Sequence, residues 1–224
     1  SNKGLEIALQ VNPISGDDLD ISFGGNIAFN RTRIEGLSSQ SLSPVLLGGS
    51  YVDRRFYLGN TVSRGNYFKY PANIFIEGEE TALFYGLETD GIYQTGDTTI
   101  GNAQAGDVRF VDQNGDGAIN QLDFVPLGSA QPDFTYGIRN TLSYKQWTLD
   151  VFIQGTQGNE IFDTSRYLYF FGRDSDSMIL PELVNSWTPS NPNSDIPRAG
   201  TSAGGYPPLS NVNISDGSYI RLRN

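Results

Sequence analysis

Alternation of apolar and polar residues with a period of two dominates both ends of this chain. Leu5, Ile7, Leu9 and Val11 fall on one side of an extended segment, and Glu6, Ala8 and Gln10 on the other. A turn containing Pro13 and Gly16 follows at 12–18. Leu19, Ile21, Phe23, Gly25, Ile27 and Phe29 then alternate with Asp20, Ser22, Gly24, Asn26, Ala28 and Asn30, so the two segments predict a hairpin with one apolar and one polar face. A second hairpin sets Phe134, Tyr136, Ile138, Asn140, Leu142 and Tyr144 against Trp147, Leu149, Val151 and Ile153 across a tight turn at Lys145-Gln146. Strands are therefore predicted near 4–12, 18–31, 133–144, 147–155 and 217–224. The segments near 32–132 and 156–216 lack long alternation and read as long loops, the second with a short helix within 176–187 that Pro181 restricts.

Connection lengths carry topology. Short turns join strands one to two and three to four, and long segments join two to three and four to five. In an up-and-down sheet every short turn then lies at one end and every long loop at the other, as in outer-membrane barrels. A soluble β-sandwich with one elaborated end shares that pattern. Tyr144 and Trp147 flank the tight turn, where an interfacial aromatic girdle falls in a barrel. The opposite faces carry Glu6, Asp20, Arg139, Asp150, Arg221 and Arg223, which suits a hydrated lumen.

Composition narrows the chemistry. The 224 residues hold 15 Lys and Arg against 25 Asp and Glu, a net charge of −10, which disfavours nucleic acid and a polybasic membrane anchor. No cysteine or histidine is present. Disulfides, thiol catalysis, Ser-His-Asp triads and the commonest transition-metal ligands are thereby excluded. Carboxylate-pair hydrolysis and oxygen-ligated metals survive. No apolar run approaches the roughly 20 residues of a spanning helix, but a spanning strand needs only about 9–11. The chain opens in a strand pattern with no visible signal peptide and stops within another, so it reads as a fragment.

Six stretches, in order, resemble segments of one family. Asn2-Lys3-Gly4-Leu5-Glu6-Ile7 resembles a barrel strand of that family. Leu83-Phe84-Tyr85-Gly86-Leu87-Glu88-Thr89-Asp90-Gly91-Ile92-Tyr93 and Gly106-Asp107-Val108-Arg109-Phe110-Val111-Asp112-Gln113-Asn114-Gly115-Asp116-Gly117 resemble two of its loop motifs. The hairpin from Pro132 to Gly155, the stretch from Trp187 to Arg198 and that from Asp216 to Asn224 complete the series. The family they resemble is that of the SusC/RagA-type TonB-dependent outer-membrane transporters. The resemblance implies an all-β fold: the C-terminal part of a large antiparallel transmembrane β-barrel of roughly 22 strands with long extracellular loops. The plug domain is absent from the chain. It also implies TonB-driven import of large nutrients, oligosaccharides first and peptides second, through the bacterial outer membrane. A SusD-like surface lipoprotein and the TonB complex would be partners, the latter through the missing N-terminal part. Such work needs no bond chemistry, so the chain is not expected to be an enzyme.

Candidate sites lie in the long segments. Asp112, Asn114, Asp116, Ala118, Asn120 and Asp123 occupy positions 1, 3, 5, 7, 9 and 12 of an EF-hand-like loop, with Gly117 at position 6. That spacing predicts calcium, with Ala118 offering its carbonyl. The competing reading is an Asx-rich turn whose carboxylates cap backbone amides. Tyr167, Tyr169 and Tyr206, in the second long segment, are candidate cargo contacts, and Tyr67, Tyr70 and Tyr93 lie in the first. Two alternatives belong to other classes. One is a soluble calcium-dependent carbohydrate-binding β-module. The other is a glycosidase drawing on Glu77, Glu79, Glu80, Glu88, Asp174, Asp176 or Glu182, though no pair is fixed by the sequence.

Overall fold

The computed structural model describes residues 1–37, 43–47, 50–58, 70–163, 181–199 and 209–223. Among them the strands are β1 (Asn2–Ser15), β2 (Leu19–Thr32), β3 (Ser43–Leu47), β4 (Ser50–Leu58), β5 (Asn73–Ile76), β6 (Leu83–Leu87) and β7 (Thr89–Ile92). They continue as β8 (Val108–Phe110), β9 (Phe124–Ser129), β10 (Phe134–Tyr144), β11 (Trp147–Gln157), β12 (Glu160–Phe162), β13 (Ile214–Asp216) and β14 (Tyr219–Arg223). Short 3-10 turns occupy Gln121–Asp123, Pro181–Asn185 and Asn211–Asn213.

One antiparallel sheet runs β1-β2-β10-β11-β14. Its register keeps each alternating set on one face. Ile7 sits opposite Ile27, Ile27 opposite Tyr136, Ile138 opposite Ile153, and Ile153 opposite Leu222. A bulge between Val11 and Ile14 brings Ile14 opposite Ile21, so the apolar set continues past Pro13. The two short connections share an end of this sheet, because the Lys145 amide donates to the Asp18 carbonyl at 2.9 Å. Lys145 takes a φ of +54°, as a two-residue hairpin turn requires.

The segment expected as a long loop near 32–132 is a second body. A sheet β3-β4-β5-β6-β9 is joined by the pair β7-β8. Its core gathers Val45, Tyr57, Ala72, Ile74, Leu83, Tyr85, Leu87, Val108 and Phe124, with Leu209 arriving from the second long segment. Alternation failed to report these strands because they are short and β6 is buried on both sides. At Gly86 a methyl group would collide with the Leu209 carbonyl, so glycine lets the returning chain cross β6 directly.

Candidate functional site

The β1-β2-β10-β11-β14 sheet, referred to below as the wall, carries two chemically opposite faces. Leu5, Leu9, Leu149, Ile220 and Leu222 are each 58–70% exposed, and nothing in the described residues covers them. A soluble sandwich turns such a face inward, whereas here it is left exposed. Aromatic residues bracket it. Tyr144 and Trp147 stand at the short-turn end, and Phe29 packs on Phe134 at the other, with ring centroids 5.7 Å apart. Phe134 and Tyr144 end the same strand. They are separated by about 33 Å of strand, or about 25 Å in height at the ~40° tilt of membrane barrels, which is the height of their apolar band. The opposite face is polar. Arg139 pairs with Asp150 there. A shallow hollow of about 370 Å³ opens where Ala8, Gly24 and Gly137 lack bulk, flanked by Arg139 and Phe152.

At the other end the second body is fastened to the wall. Arg31 pairs with Asp133 and lies 3.6 Å from Glu80. Glu160 of β12 accepts the Ser129 amide at 2.8 Å and lies over Gly128, where no side chain would fit. Phe162 meets Phe84 at 5.8 Å. We refer to this body as the platform.

The two long segments are clipped together on the platform. Trp187, 5% exposed, lies against Gly106, and its indole donates to Gln94 at 3.0 Å. Asp107, 3% exposed, accepts Arg198 Nε at 2.6 Å and the Gln104 amide at 2.8 Å. A groove of about 350 Å³ lies between β7-β8 and the 192–197 stretch, lined by Thr89, Ile92, Gln94, Asn193, Asp195 and Pro197.

The 112–123 loop is closed by its own amides. Asp112 accepts from Gly115, Gly117 and Asp116 at 2.7, 2.8 and 3.2 Å. Asn114 donates to the Asp116 carboxylate and accepts the Asp116 amide. Asp123 is fully buried and accepts the Gln113 and Asn120 amides, the latter completing a capping box with Asn120 on the 3-10 turn. Both terminal carboxylates are thus committed to backbone amides, as in the Asx-turn reading. Among the described residues no group of three or more acidic side chains is gathered to hold a metal ion. A calcium ion here would have to share oxygens already bonded to amides.

Those amides, Gly117's first, hold the Asp112 carboxyl below the usual carboxylate range. Its folded-state pKa is lower than its unfolded one. Its stabilising contribution is therefore present above the ordinary carboxylate value and lost as pH falls through the lowered one. The 112–117 turn is expected to become protease-sensitive on acidification below the ordinary value of 3.8, and Asp112→Ala to be sensitive already at neutral pH.

No family model matches the chain. TonB-dependent receptor P26 of Formosa agariphila is 32% identical over 228 residues, an alignment that covers 99% of this chain and 21% of that receptor. Along its whole length the chain is similar to part of this TonB-dependent receptor. TonB-dependent receptor P3 of the same organism is 28% identical across 100% of the chain and 21% of its own length. TonB-dependent receptor SusC of Bacteroides thetaiotaomicron is 24% identical, with 100% and 20% covered. The solved structure of the RagAB peptide transporter shares the fold at a TM-score of 0.69, with 21% identity, 99% of this chain and 22% of that one. The chain thus spans about one fifth of the length of the relatives it matches. Its five-stranded sheet is open, with β1 and β14 at its edges.

The cargo candidates Tyr167, Tyr169 and Tyr206, along with Tyr67, lie outside the described residues. Tyr70 and Tyr93 serve packing. Tyr70 stacks on Tyr57 at 5.6 Å, and Tyr93 is 4% exposed. Of the acids considered for a glycosidase, Asp174 and Asp176 also lie outside the described residues. Glu80 and Glu88 are engaged by Arg31 and Gln113, respectively. Sequence reasoning missed the clip. Asp107 and Arg198 are 91 positions apart and no periodicity links them. The available signal was Trp187, one of only two tryptophans in the chain.

Proposed function

We propose that this receptor segment supplies wall and outward-facing platform to an outer-membrane, TonB-dependent importer of large nutrients. One observation carries the reading: the apolar face of the wall is exposed on successive strands while its opposite face is polar and charged. Lipid fits the first and a hydrated passage fits the second. The relatives are named as TonB-dependent receptors, and the RagAB structure is described as a peptide transporter, which supports import for the whole polypeptide. Oligosaccharides are the proposed cargo and peptides the second choice. The long segments are rich in tyrosine, whose ring stacks on sugars while its hydroxyl bonds them. The platform would meet a SusD-like surface lipoprotein, and the TonB complex would act through other parts of the polypeptide. Nothing in this work requires the segment to break a bond.

The experiment uses cells carrying the full-length receptor. A cysteine at Lys145 is expected to react with an impermeant reagent only after the outer membrane is opened. One at Val184, 89% exposed in the second long segment, is expected to react on intact cells. Reversed labelling would overturn the orientation. Uptake of fluorescent oligosaccharide should require both the receptor and TonB, and uptake unchanged on deleting the receptor would overturn the transport reading. Calcium at 112–123 is a separate proposal resting on residue spacing, and calcium-dependent protection of that turn from proteolysis is its test.

A further inference from the structure

Ser210 and Asn213 are both fully buried, yet the Ser210 hydroxyl and both polar atoms of the Asn213 carboxamide have no hydrogen-bond partner among the described residues. They belong to the 3-10 turn at Asn211–Asn213, where Ser210 is the N-cap residue but makes no side-chain cap bond. The Asn213 amide donates to the Ser210 carbonyl at 3.0 Å, which closes the turn and holds these two residues next to each other. Several polar groups of the turn and its neighbours are already engaged. The Leu209 carbonyl accepts the Leu87 amide at 2.7 Å. The Asn213 carbonyl accepts the Asp163 amide at 2.7 Å, and Asn211 Oδ1 accepts Thr89 N and Oγ1 at 3.1 and 2.8 Å.

Leaving such groups unpaired in the interior costs about 1–3 kcal/mol each, so the sequence has reason to keep them only if something satisfies them. The ligand must accept from the carboxamide nitrogen and donate to its oxygen, while the hydroxyl can do either. A cation has no acceptor, and a fully ionised anion has no donor. Complete burial excludes anything large. We infer that this turn encloses an ordered internal water, hydrogen-bonded to Ser210 Oγ and the Asn213 carboxamide. The water completes the polar contacts where the second long segment returns across β6 and runs into β13, and so forms part of the fastening between platform and wall. Buried waters with about three such bonds are a regular part of protein interiors.

The test is the structure of the full-length receptor at a resolution that shows ordered solvent. A solvent peak is expected within about 2.5–3.2 Å of both Ser210 Oγ and an Asn213 carboxamide atom. Direct bonds from these groups to each other or to other protein groups, with no peak between them, would overturn the inference. In a Ser210→Ala, Asn213→Leu double variant the peak should be lost with the platform still folded. A peak that persists there would also overturn it, because other groups would then be holding the solvent. Should the double variant not assemble, the wild-type density decides alone.

Discussion

Arginine in place of Val151 is expected to destabilise the receptor's barrel by about 2–4 kcal/mol, the cost of a cation at the bilayer midplane on a lipid-facing strand. Val151 lies mid-strand on the apolar face of β11, opposite Asn140 and between Leu149 and Ile153. Leu149→Arg should cost less despite the same orientation. It lies two positions from Trp147 and the tight turn, where depth-dependent penalties fall to about 0–1 kcal/mol. Thr148→Arg, on the polar face, should cost little, since that face already holds Arg139 with Asp150. Denaturant unfolding of the full-length receptor refolded into bilayers measures all three. Equal costs at positions 148 and 151 would mean that the two faces are not in different solvents.

Asp107→Ala is expected to cost the platform roughly 3 kcal/mol, the order found when one partner of a largely buried ion pair is removed. The carboxylate is 3% exposed and joins Arg198 to the Gln104 amide. Its loss leaves a guanidinium and an amide without the acceptor they were folded around, beside the slot in which Trp187 covers Gly106. Limited proteolysis should then cut within 181–199 while β1, β2, β10 and β11 stay protected. Asp107→Asn should show a smaller effect, because the amide oxygen can still accept from one of the two donors. A variant cleaved no faster than wild type would show that the clip does not hold the two long segments together.

The wall was legible in the sequence because each of its strands carries an apolar face and a polar one. Leu5 to Val11 and Trp147 to Ile153 alternate for that reason, and the register across all five strands preserves it. The platform was not legible, because the same physics removes the signal there. The five residues of β6 are buried on both sides, and β8 has only three residues. Sequence spacing located the 112–123 turn but could not say how its oxygens are used. Burial of Asp123 as a cap on the 3-10 turn emerges only once Gln113 and Asn120 are placed around it. The clip from Asp107 to Arg198 joins residues that no local pattern connects.

The central claim is that the exposed apolar face of the wall meets lipid. Spin labels placed singly at 148 to 153 along β11 of the full-length receptor, reconstituted in bilayers, test it most directly. Collision with oxygen, which concentrates in lipid, should be high at 149, 151 and 153 and low at 148, 150 and 152. A polar nickel reagent should show the weaker, inverse pattern. Uniform accessibility along the strand, or oxygen contact at the even positions, would contradict the claim.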